Sequence, residues 1–469
     1  MKKSRKISLV VVSAFLFAVL FYKQGIAFNF GLLGLITLGI IHFLLPANRK
    51  DRKYYLLAFV VGVTSLSQMW YGDEYAFFAL FFSLLTMGIY IFFRKLNFIF
   101  YPLLMGLNYF IFIYRFLSFD WLPIQKREGK KMGKKIIVLV LFPTLISILF
   151  ILVYSTGSDL FYNFTKQFKI NENTLYFFGL FLIGFFFYFN YWYLWIPRFF
   201  ITFNARFKEE FGENNKTKLL VDEKIVDVDL QRSSGVISLA ILNAILLFFI
   251  GTYNYEQFFT LESTQNLSAD THTQVNTIIF SIILAMGVIL FYFNSYFNFD
   301  NKATNLRKLS YLWLVLNSLL VASAIVKTME YVGAYGLTMK RVGVFIFLFL
   351  CLIGMYYSYV KISQKKTNAF LVNKMAWVFF LAFTLNSPVN YSWLVTQYNL
   401  FFVEDQNQDI NYLFNLRYNK RVLHQHLKEN EIYLEKEHLI ERFERKQTQE
   451  MSKSILSQSF YYRCVDLND

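Results

Sequence analysis

The sequence predicts an all-α protein, a polytopic transmembrane helical bundle with a small helical C-terminal tail. Hydrophobic residues make up 56% of the 469 residues and charged residues only 17%. Soluble domains have about 45–50% apolar residues and about 25% charged residues. The mean hydropathy is +0.39, and the apolar residues gather in runs long enough to fill a bilayer core. These observations exclude a soluble enzyme.

Each apolar run is predicted to be a helix, because an unpaired backbone amide in lipid is costly and the alternating pattern of barrel strands is absent. The first run follows four basic residues, as in a signal peptide. It lacks a small-x-small cleavage site, so we expect a retained helix. The twelve runs are Ile7–Tyr22, Asn29–Leu45, Tyr54–Trp70, Tyr75–Phe93, Phe98–Tyr114, Lys135–Tyr154, Thr174–Ile196, Val236–Phe258, Thr273–Asn294, Tyr311–Val326, Val342–Val360 and Met375–Val395.

The distribution of lysine and arginine predicts the direction of these helices, since basic linkers remain in the cytoplasm. Around the first four runs, ten basic residues lie on one side and only Lys23 on the other. The N-terminus is therefore predicted to be cytoplasmic. From Lys126 onward, alternate linkers hold twenty and five basic residues.

The two groups of basic linkers conflict if the fifth run crosses the membrane, because Arg94–Lys95 and Lys126–Lys135 would then face opposite sides. The fifth run is too short to cross twice. We therefore expect Phe98–Trp121 to be a re-entrant or surface helix, which leaves eleven spans. The alternative is twelve spans, with one violation of the charge rule.

This topology divides the chain into four parts. Residues 1–121 form a first transmembrane bundle, and residues 122–135 a basic cytoplasmic linker. Residues 136–395 form a second bundle, which contains a cytoplasmic loop at 203–235. Residues 396–469 form an amphipathic helical tail, which eleven crossings place outside the cytoplasm.

No motif in the sequence predicts catalysis, a metal site or a cofactor. The five histidines lack the helical spacing of zinc ligands, and no ionisable residue lies near the centre of a predicted span. The basic residues flank apolar runs, so we expect the lipid bilayer as a partner and no nucleic acid. Polar residues within spans, such as Asn243, are expected to form hydrogen bonds between helices.

The turn at Met329–Arg341 is the best candidate site. Tyr331 and Tyr335 are one helical turn apart, Gly336 can end a helix, and Thr338 can cap the next one. One interpretation is a well-capped helical hairpin with tyrosines at the membrane interface. The other makes Arg341 a contact for an anion or a lipid headgroup.

The string Tyr331–Arg341, read as Tyr-x-x-x-Tyr-Gly-Leu-Thr-x-x-Arg, resembles a signature of the bacterial polytopic membrane-protein family catalogued as domain of unknown function 4153/4173. Gly25–Asn29, Asn390–Asn399 and Asp409–Leu416 resemble further segments of that family in order. The resemblance implies no established activity. We hypothesise one outer-face site where the tail docks onto the last hairpins, formed by Tyr331, Tyr335, Gly336, Thr338, Arg341, Asn390, Asn399 and Tyr412.

The sequence favours a non-enzymatic signalling or envelope-associated component of the bacterial cytoplasmic (inner) membrane, acting through a membrane or envelope protein partner. A first alternative is a transporter of an uncharged or lipid-like substrate, which requires a polar cavity reaching mid-bilayer. A second is a membrane enzyme acting on a lipid-linked substrate, with Asp73, Glu74 or Glu330 as its acids.

Overall fold

The computed structural model describes residues 3–46, 50–118, 172–212, 228–259, 267–293, 296–403, 409–429 and 437–464, with a few isolated residues between 143 and 158. Regular structure in these ranges consists of α-helices and short 3-10 turns, without a strand. The all-α prediction is therefore confirmed. Most of the predicted span Lys135–Tyr154 and the centre of the predicted loop 203–235 lie outside the described residues.

The chain forms two compact units. Unit 1 contains Met1–Lys95, Tyr101–Ile196 and Glu450–Phe460. Its helices are α1 (Lys3–Phe21), α2 (Phe28–Leu44), α3 (Arg52–Tyr71), α4 (Glu74–Phe92), α5 (Tyr101–Phe110), α6 (Phe112–Leu117) and α7 (Glu172–Trp192).

Unit 2 contains Leu96–Phe100, Pro197–Gln449 and Tyr461–Asp469. Its helices are α8 (Arg198–Arg206), α9 (Val228–Phe259), α10 (Leu267–Tyr292), α11 (Thr304–Tyr335), α12 (Met339–Ser363), α13 (Asn368–Leu385), α14 (Tyr391–Phe402), α15 (Ile410–Asn415) and α16 (Lys420–Glu429). Two more helices, α17 (Glu437–Met451) and α18 (Phe460–Cys464), continue across the unit boundaries.

Within the described ranges, seven helices are long and apolar enough to cross a membrane, namely α1, α4, α7, α9, α11, α12 and α13. Three shorter apolar segments are Phe28–Leu44, Phe98–Phe110 and Phe280–Tyr292. Large apolar side chains such as Phe248, Phe291 and Phe349 are more than half exposed on these helices, where a soluble protein would place polar ones. The chain is accordingly a membrane protein with several apolar helices.

Unit 1 is built on close contacts between antiparallel neighbours. α2 approaches α3 through Gly31, where a β-carbon would lie 2.5 Å from the Ser65 carbonyl oxygen. α7 runs antiparallel to α1, since the Tyr22 and Tyr176 rings lie 5.9 Å apart. At the opposite end of this pair, the Lys6 ammonium lies 5.3 Å from the Tyr193 ring.

The predicted fifth run forms two short helices instead of one long one. α5 has ten residues and α6 has six, and they are separated at Ile111, whose φ of −91° and ψ of 13° are not helical. Phe112 and Phe116 pack on Phe186 and Phe185 of α7. α6 therefore lies beside the last turns of α7.

In unit 2, the four helices α9, α10, α11 and α12 pack around one apolar core, which includes Leu239, Trp313 and Leu348. A polar contact crosses this core, where Asn243 Nδ2 donates to the Leu309 carbonyl at 3.0 Å. Lys361, which directly follows the predicted span Val342–Val360, lies within α12 and is fully buried. Its ammonium donates to the carbonyl of Phe293 at 2.6 Å, at the C-terminal end of α10, where a cation is favourable.

Several connecting segments of unit 2 gather at one end of its helices. Arg232 Nε contacts Asp300 Oδ2 at 2.6 Å, the Phe211 and Phe299 rings lie 5.1 Å apart, and Thr367 Oγ1 donates to the Lys208 carbonyl at 2.6 Å. We call this the basic end of unit 2. The turn between α11 and α12 lies at the other end of these two helices.

Candidate docking site

The turn between α11 and α12 depends on one glycine and one threonine. α11 ends at Tyr335, and Gly336 follows with a φ of +76°, which favours glycine because it has no β-carbon. Thr338 then caps α12, since its Oγ1 accepts a hydrogen bond from the Arg341 amide at 3.3 Å. The two motif residues thus end one helix and begin the next.

The Arg341 side chain folds back over this turn. Its Nη1 donates to the Tyr335 carbonyl at 2.9 Å and also to the Gly336 carbonyl. The guanidinium lies 4.2 Å from the centre of the Tyr331 ring, which in turn lies 4.9 Å from the Tyr335 ring. A cation suits this position, because the last carbonyls of a helix have no intrahelical partner and carry negative partial charge.

Asn399 of α14 attaches that helix to the turn through a two-point hydrogen bond. Its Oδ1 accepts from the Leu337 amide at 2.6 Å, and its Nδ2 donates to the Leu337 carbonyl at 2.8 Å. A β-carbon on Gly336 would lie 2.5 Å from this Oδ1 atom. Glycine is therefore required at this position both by its backbone angle and by the approach of Asn399.

Tyr412 of α15 reaches the same turn from the tail. Its hydroxyl oxygen accepts from the Met339 amide at 2.8 Å, which is one of the amides that the first turn of α12 leaves without an intrahelical partner. Asp409 caps α15 by accepting from the Tyr412 amide at 2.9 Å. The tail thus supplies an acceptor to the first turn of α12.

Asn390 links α14 to the part of the tail that lies beyond α14. Its Oδ1 caps α14 by accepting from the Trp393 amide at 2.9 Å, and its Nδ2 donates to the Tyr418 carbonyl at 2.8 Å. Asn419 makes a second link, since its Nδ2 donates to Thr396 Oγ1 at 2.6 Å and to the Leu413 carbonyl at 2.8 Å. Sequence reasoning missed Asn419, which is 1% exposed; a lone asparagine in a charged tail gave no signal.

An apolar cluster lies beneath these polar contacts. Its buried members come from the end of α11, from the turn, from α14 and from the tail beyond α14, and each is at least nine-tenths buried; they are Val332, Leu337, Val395, Leu413, Leu416 and Leu423. The structure therefore brings the eight predicted site residues to one end of unit 2. We call this arrangement the turn–tail contact.

The helix α14 buries several polar residues and, apart from the buried Val395, exposes large apolar ones. Ser392, Thr396 and Asn399 are buried, whereas Phe401 and Phe402 are 75% and 74% exposed. In water this distribution would be unfavourable. It is favourable where the outer face of the helix contacts lipid.

The fourth family-like segment, Gly25–Asn29, lies in unit 1 and also contacts the tail. Asn29 is fully buried, and its Nδ2 donates to the carbonyls of Leu20 and Gly25 at 3.1 and 2.9 Å. The Gly25 amide donates to Ser457 Oγ at 2.8 Å, and the Phe28 and Phe460 rings lie 4.6 Å apart. The turn between α1 and α2 is therefore another attachment point for the tail.

The residues of the turn–tail contact bind other segments of the same chain. Most of the polar contacts above join amide, hydroxyl and guanidinium groups to backbone atoms, and one joins the side chains of Asn419 and Thr396. Together they hold three segments in place. In the part of the chain that the structure describes, no group of three or more His, Cys, Asp or Glu residues could hold a metal ion.

Comparison with known proteins gives one match. A family model described as a domain of unknown function (DUF4153) matches residues 9–423, which include every predicted site residue. No curated protein and no solved structure matches the chain. The matched region covers most of the 469 residues, so the chain belongs to the DUF4153 family, as its motifs predicted.

Proposed function

We propose that this protein is a non-enzymatic signalling or envelope-associated component of the bacterial cytoplasmic membrane, and that it acts through its docked tail. The observation that carries the proposal is the turn–tail contact. Asn399 and Tyr412, which belong to the motif segments Asn390–Asn399 and Asp409–Leu416, both accept hydrogen bonds from backbone amides of Tyr331–Arg341. Asn390 donates to the Tyr418 carbonyl, just beyond the third segment. A docked tail can be released, so it suits a component that receives a partner protein.

The proposal places the turn–tail contact outside the cytoplasm, with eleven crossings and the N-terminus inside. The path of α5 and α6 supports this topology. Lys6 lies 4.8 Å from the Phe92 ring at the end of α4, and the same lysine lines a cleft with Arg115 of α6. The chain thus leaves α4 and returns in α6 beside the same lysine, as expected for a segment that does not cross.

The position of α14 in the membrane follows from its inverted pattern. We place its exposed face, with Trp393, Phe401 and Phe402, in the boundary between headgroups and acyl chains, where aromatic side chains are favoured. The buried polar face then presents Asn399 to the turn. In this position α14 is held at the membrane, and the part of the tail beyond α14 docks on it.

The two alternative functions, a membrane enzyme and a transporter, receive less support from the contacts of the described residues. Of the outer acids considered for an enzyme, Asp73 caps α4 by accepting from the Ala76 amide at 2.8 Å, which is a structural role. A transporter would need polar residues inside the predicted spans to line a pathway. Two such residues are engaged in the fold, since Asn243 donates to the Leu309 carbonyl of α11 and Asn190 accepts from Arg115 at 3.0 Å.

A crosslinking experiment tests the docked tail. In a variant without Cys351 and Cys464, cysteines replace Met339 and Tyr412, and membranes are treated with a short bis-maleimide. We expect an intramolecular crosslink, because the Tyr412 hydroxyl contacts the Met339 amide. Leu312→Cys with Tyr412→Cys is the matched control, since residue 312 lies about 35 Å from residue 335 along α11 at 1.5 Å per residue.

Crosslinking of the 339–412 pair, without reaction of the 312–412 pair, would support a docked tail. Equal yields from both pairs, or no reaction of the 339–412 pair in membranes that retain the full-length chain, would contradict it. A partner that acts on the tail is further expected to change the yield of the 339–412 crosslink and to leave the control unchanged.

A further inference from the structure

A cleft of about 440 Å³ opens in unit 1 between the start of α1, α6 and the end of α7. Three basic side chains, Lys3, Lys6 and Arg115, line it together with Ser118. No carboxylate is among the described residues that line the cleft. Its volume falls in the range of about 300–1,000 Å³ that is typical of small-molecule sites.

Two of the cations in this cleft contact neutral groups. Arg115 Nη1 donates to Asn108 Oδ1 at 2.8 Å and to Asn190 Oδ1 at 3.0 Å, and Nη2 donates to the Tyr193 carbonyl. The Lys6 ammonium lies 4.8 Å from the Phe92 ring and 5.3 Å from the Tyr193 ring. These contacts hold both side chains in place without neutralising their charge, so the cleft is a preformed site for an anion.

The wall of the cleft points to an amphipathic anion. Tyr114 and Trp195 are 76% and 46% exposed at its edge, and tyrosine and tryptophan are the residues that favour the headgroup level of a bilayer. α1, which carries both lysines, is itself an apolar helix long enough to span a membrane. A ligand with a phosphate between the cations and an apolar chain beside the aromatic wall would use both features.

We propose that this cleft binds the phosphate of an anionic lipid headgroup, such as that of phosphatidylglycerol. Basic pockets between membrane helices recognise such headgroups through lysine and arginine. The site is independent of the turn–tail contact, because it lies in unit 1 and shares no residue with that contact.

The test measures binding to the full chain, purified in a neutral detergent, by native mass spectrometry with titrated lipid. Phosphatidylglycerol should bind and phosphatidylcholine should not displace it. Lys6→Gln should weaken phosphatidylglycerol binding about five-fold, and Lys3→Gln with Lys6→Gln about twenty-fold, as expected for removal of one and two cations near a headgroup. Lys23→Gln is the matched control, since it removes the same charge at the other end of α1.

Arg115 is left unchanged in this test, because its hydrogen bonds to Asn108 and Asn190 also hold α6 in place. Unchanged binding in the double variant, an equal loss in Lys23→Gln, or full displacement by phosphatidylcholine would each overturn the proposal. Displacement of the lipid by millimolar sodium phosphate would overturn the choice of a lipid and assign the cleft to free phosphate.

Discussion

At the scale of single residues, the turn–tail contact depends on the pair Gly336 and Asn399. Asn399 requires glycine at position 336, because the asparagine amide occupies the space that a side chain at position 336 would need. A bidentate amide on the Leu337 backbone also satisfies a donor and an acceptor that the end of α11 would otherwise leave buried and unpaired.

Gly336→Ala should destabilise the protein by about 2–4 kcal/mol, because alanine is strained at this φ and its β-carbon overlaps Asn399 Oδ1. In an Asn399→Ala background the overlap is gone, so the same substitution should cost at least ~1 kcal/mol less. Thermal unfolding in detergent measures both costs. Gly333→Ala, where a β-carbon meets nothing within 4 Å, is the control. Strictly additive costs would refute the coupling.

Asp51 is a residue whose charge should matter at low pH. It caps α3 by accepting from the Tyr54 amide at 2.9 Å, accepts from the Tyr90 hydroxyl at 2.5 Å, and lies 3.7 Å from Arg94. Burial alone would raise its pKa. The two hydrogen bonds and the arginine outweigh burial, so the pKa of Asp51 is lowered.

A lowered pKa in the folded state means that ionised Asp51 stabilises the fold above its unfolded pKa, and that this contribution is lost as the pH falls through the folded value. Wild type should therefore exceed Asp51→Asn in unfolding temperature by a constant margin between about pH 5 and 7, and the margin should shrink below about pH 4. A margin that persists unchanged to about pH 3 would contradict this role for the carboxylate.

At the scale of secondary-structure elements, close packing of α2 on α3 rests on two glycines. A β-carbon on Gly31 would overlap Met69 Cγ, and one on Gly34 would lie 2.5 Å from Ser65 Oγ. Small residues at such positions let membrane helices approach closely, and the approach supplies the packing that holds them together.

Gly31→Ala should therefore push α2 away from α3 and cost at least ~2 kcal/mol. Gly39→Ala, on the same helix, is the matched control, because a β-carbon at that position would meet nothing within 4 Å; we expect it to be neutral or slightly stabilising. Unfolding midpoints of the two variants in detergent provide the comparison. Similar midpoints would show that α2 and α3 do not pack through this face.

Sequence patterns predicted the helices better than their ends. The predicted span Tyr75–Phe93 agrees closely with α4, but Tyr311–Val326 is only the apolar centre of α11, which runs from Thr304 to Tyr335. Hydropathy detects the part of a helix in lipid, whereas the hydrogen-bonded turns continue beyond it. The predicted span Met375–Val395 is interrupted in the structure near Pro388, because proline cannot continue a helix.

The candidate site was predictable where a residue type has a single strong backbone role. Gly336 and Thr338 belong to this class, as the end and the start of a helix. Family-like segments placed Asn399 in the same predicted site, but its direct contact with Gly336 could not be deduced, because the two residues lie far apart along the chain and only the fold sets their spacing. The buried Lys361 was missed for a similar reason, since its partner is the carbonyl of Phe293.

At the scale of the whole molecule, the central claim is that the N-terminus and the tail lie on opposite sides of the membrane. Eleven crossings follow if α5 and α6 return to the side from which they started. The tail residues then meet the α11–α12 turn on the side that is poor in lysine and arginine, where an envelope partner can reach them.

Labelling of Cys464 in spheroplasts with a membrane-impermeant maleimide tests this claim most directly, because this cysteine is exposed near the end of the tail. A Cys464→Ser variant controls for Cys351, and Ser4→Cys in a background without the natural cysteines reports on the N-terminus. We predict that Cys464 is labelled in intact spheroplasts and that the cysteine at position 4 is labelled only after permeabilisation. Labelling of both positions under the same condition would place the two ends on one side and contradict the topology.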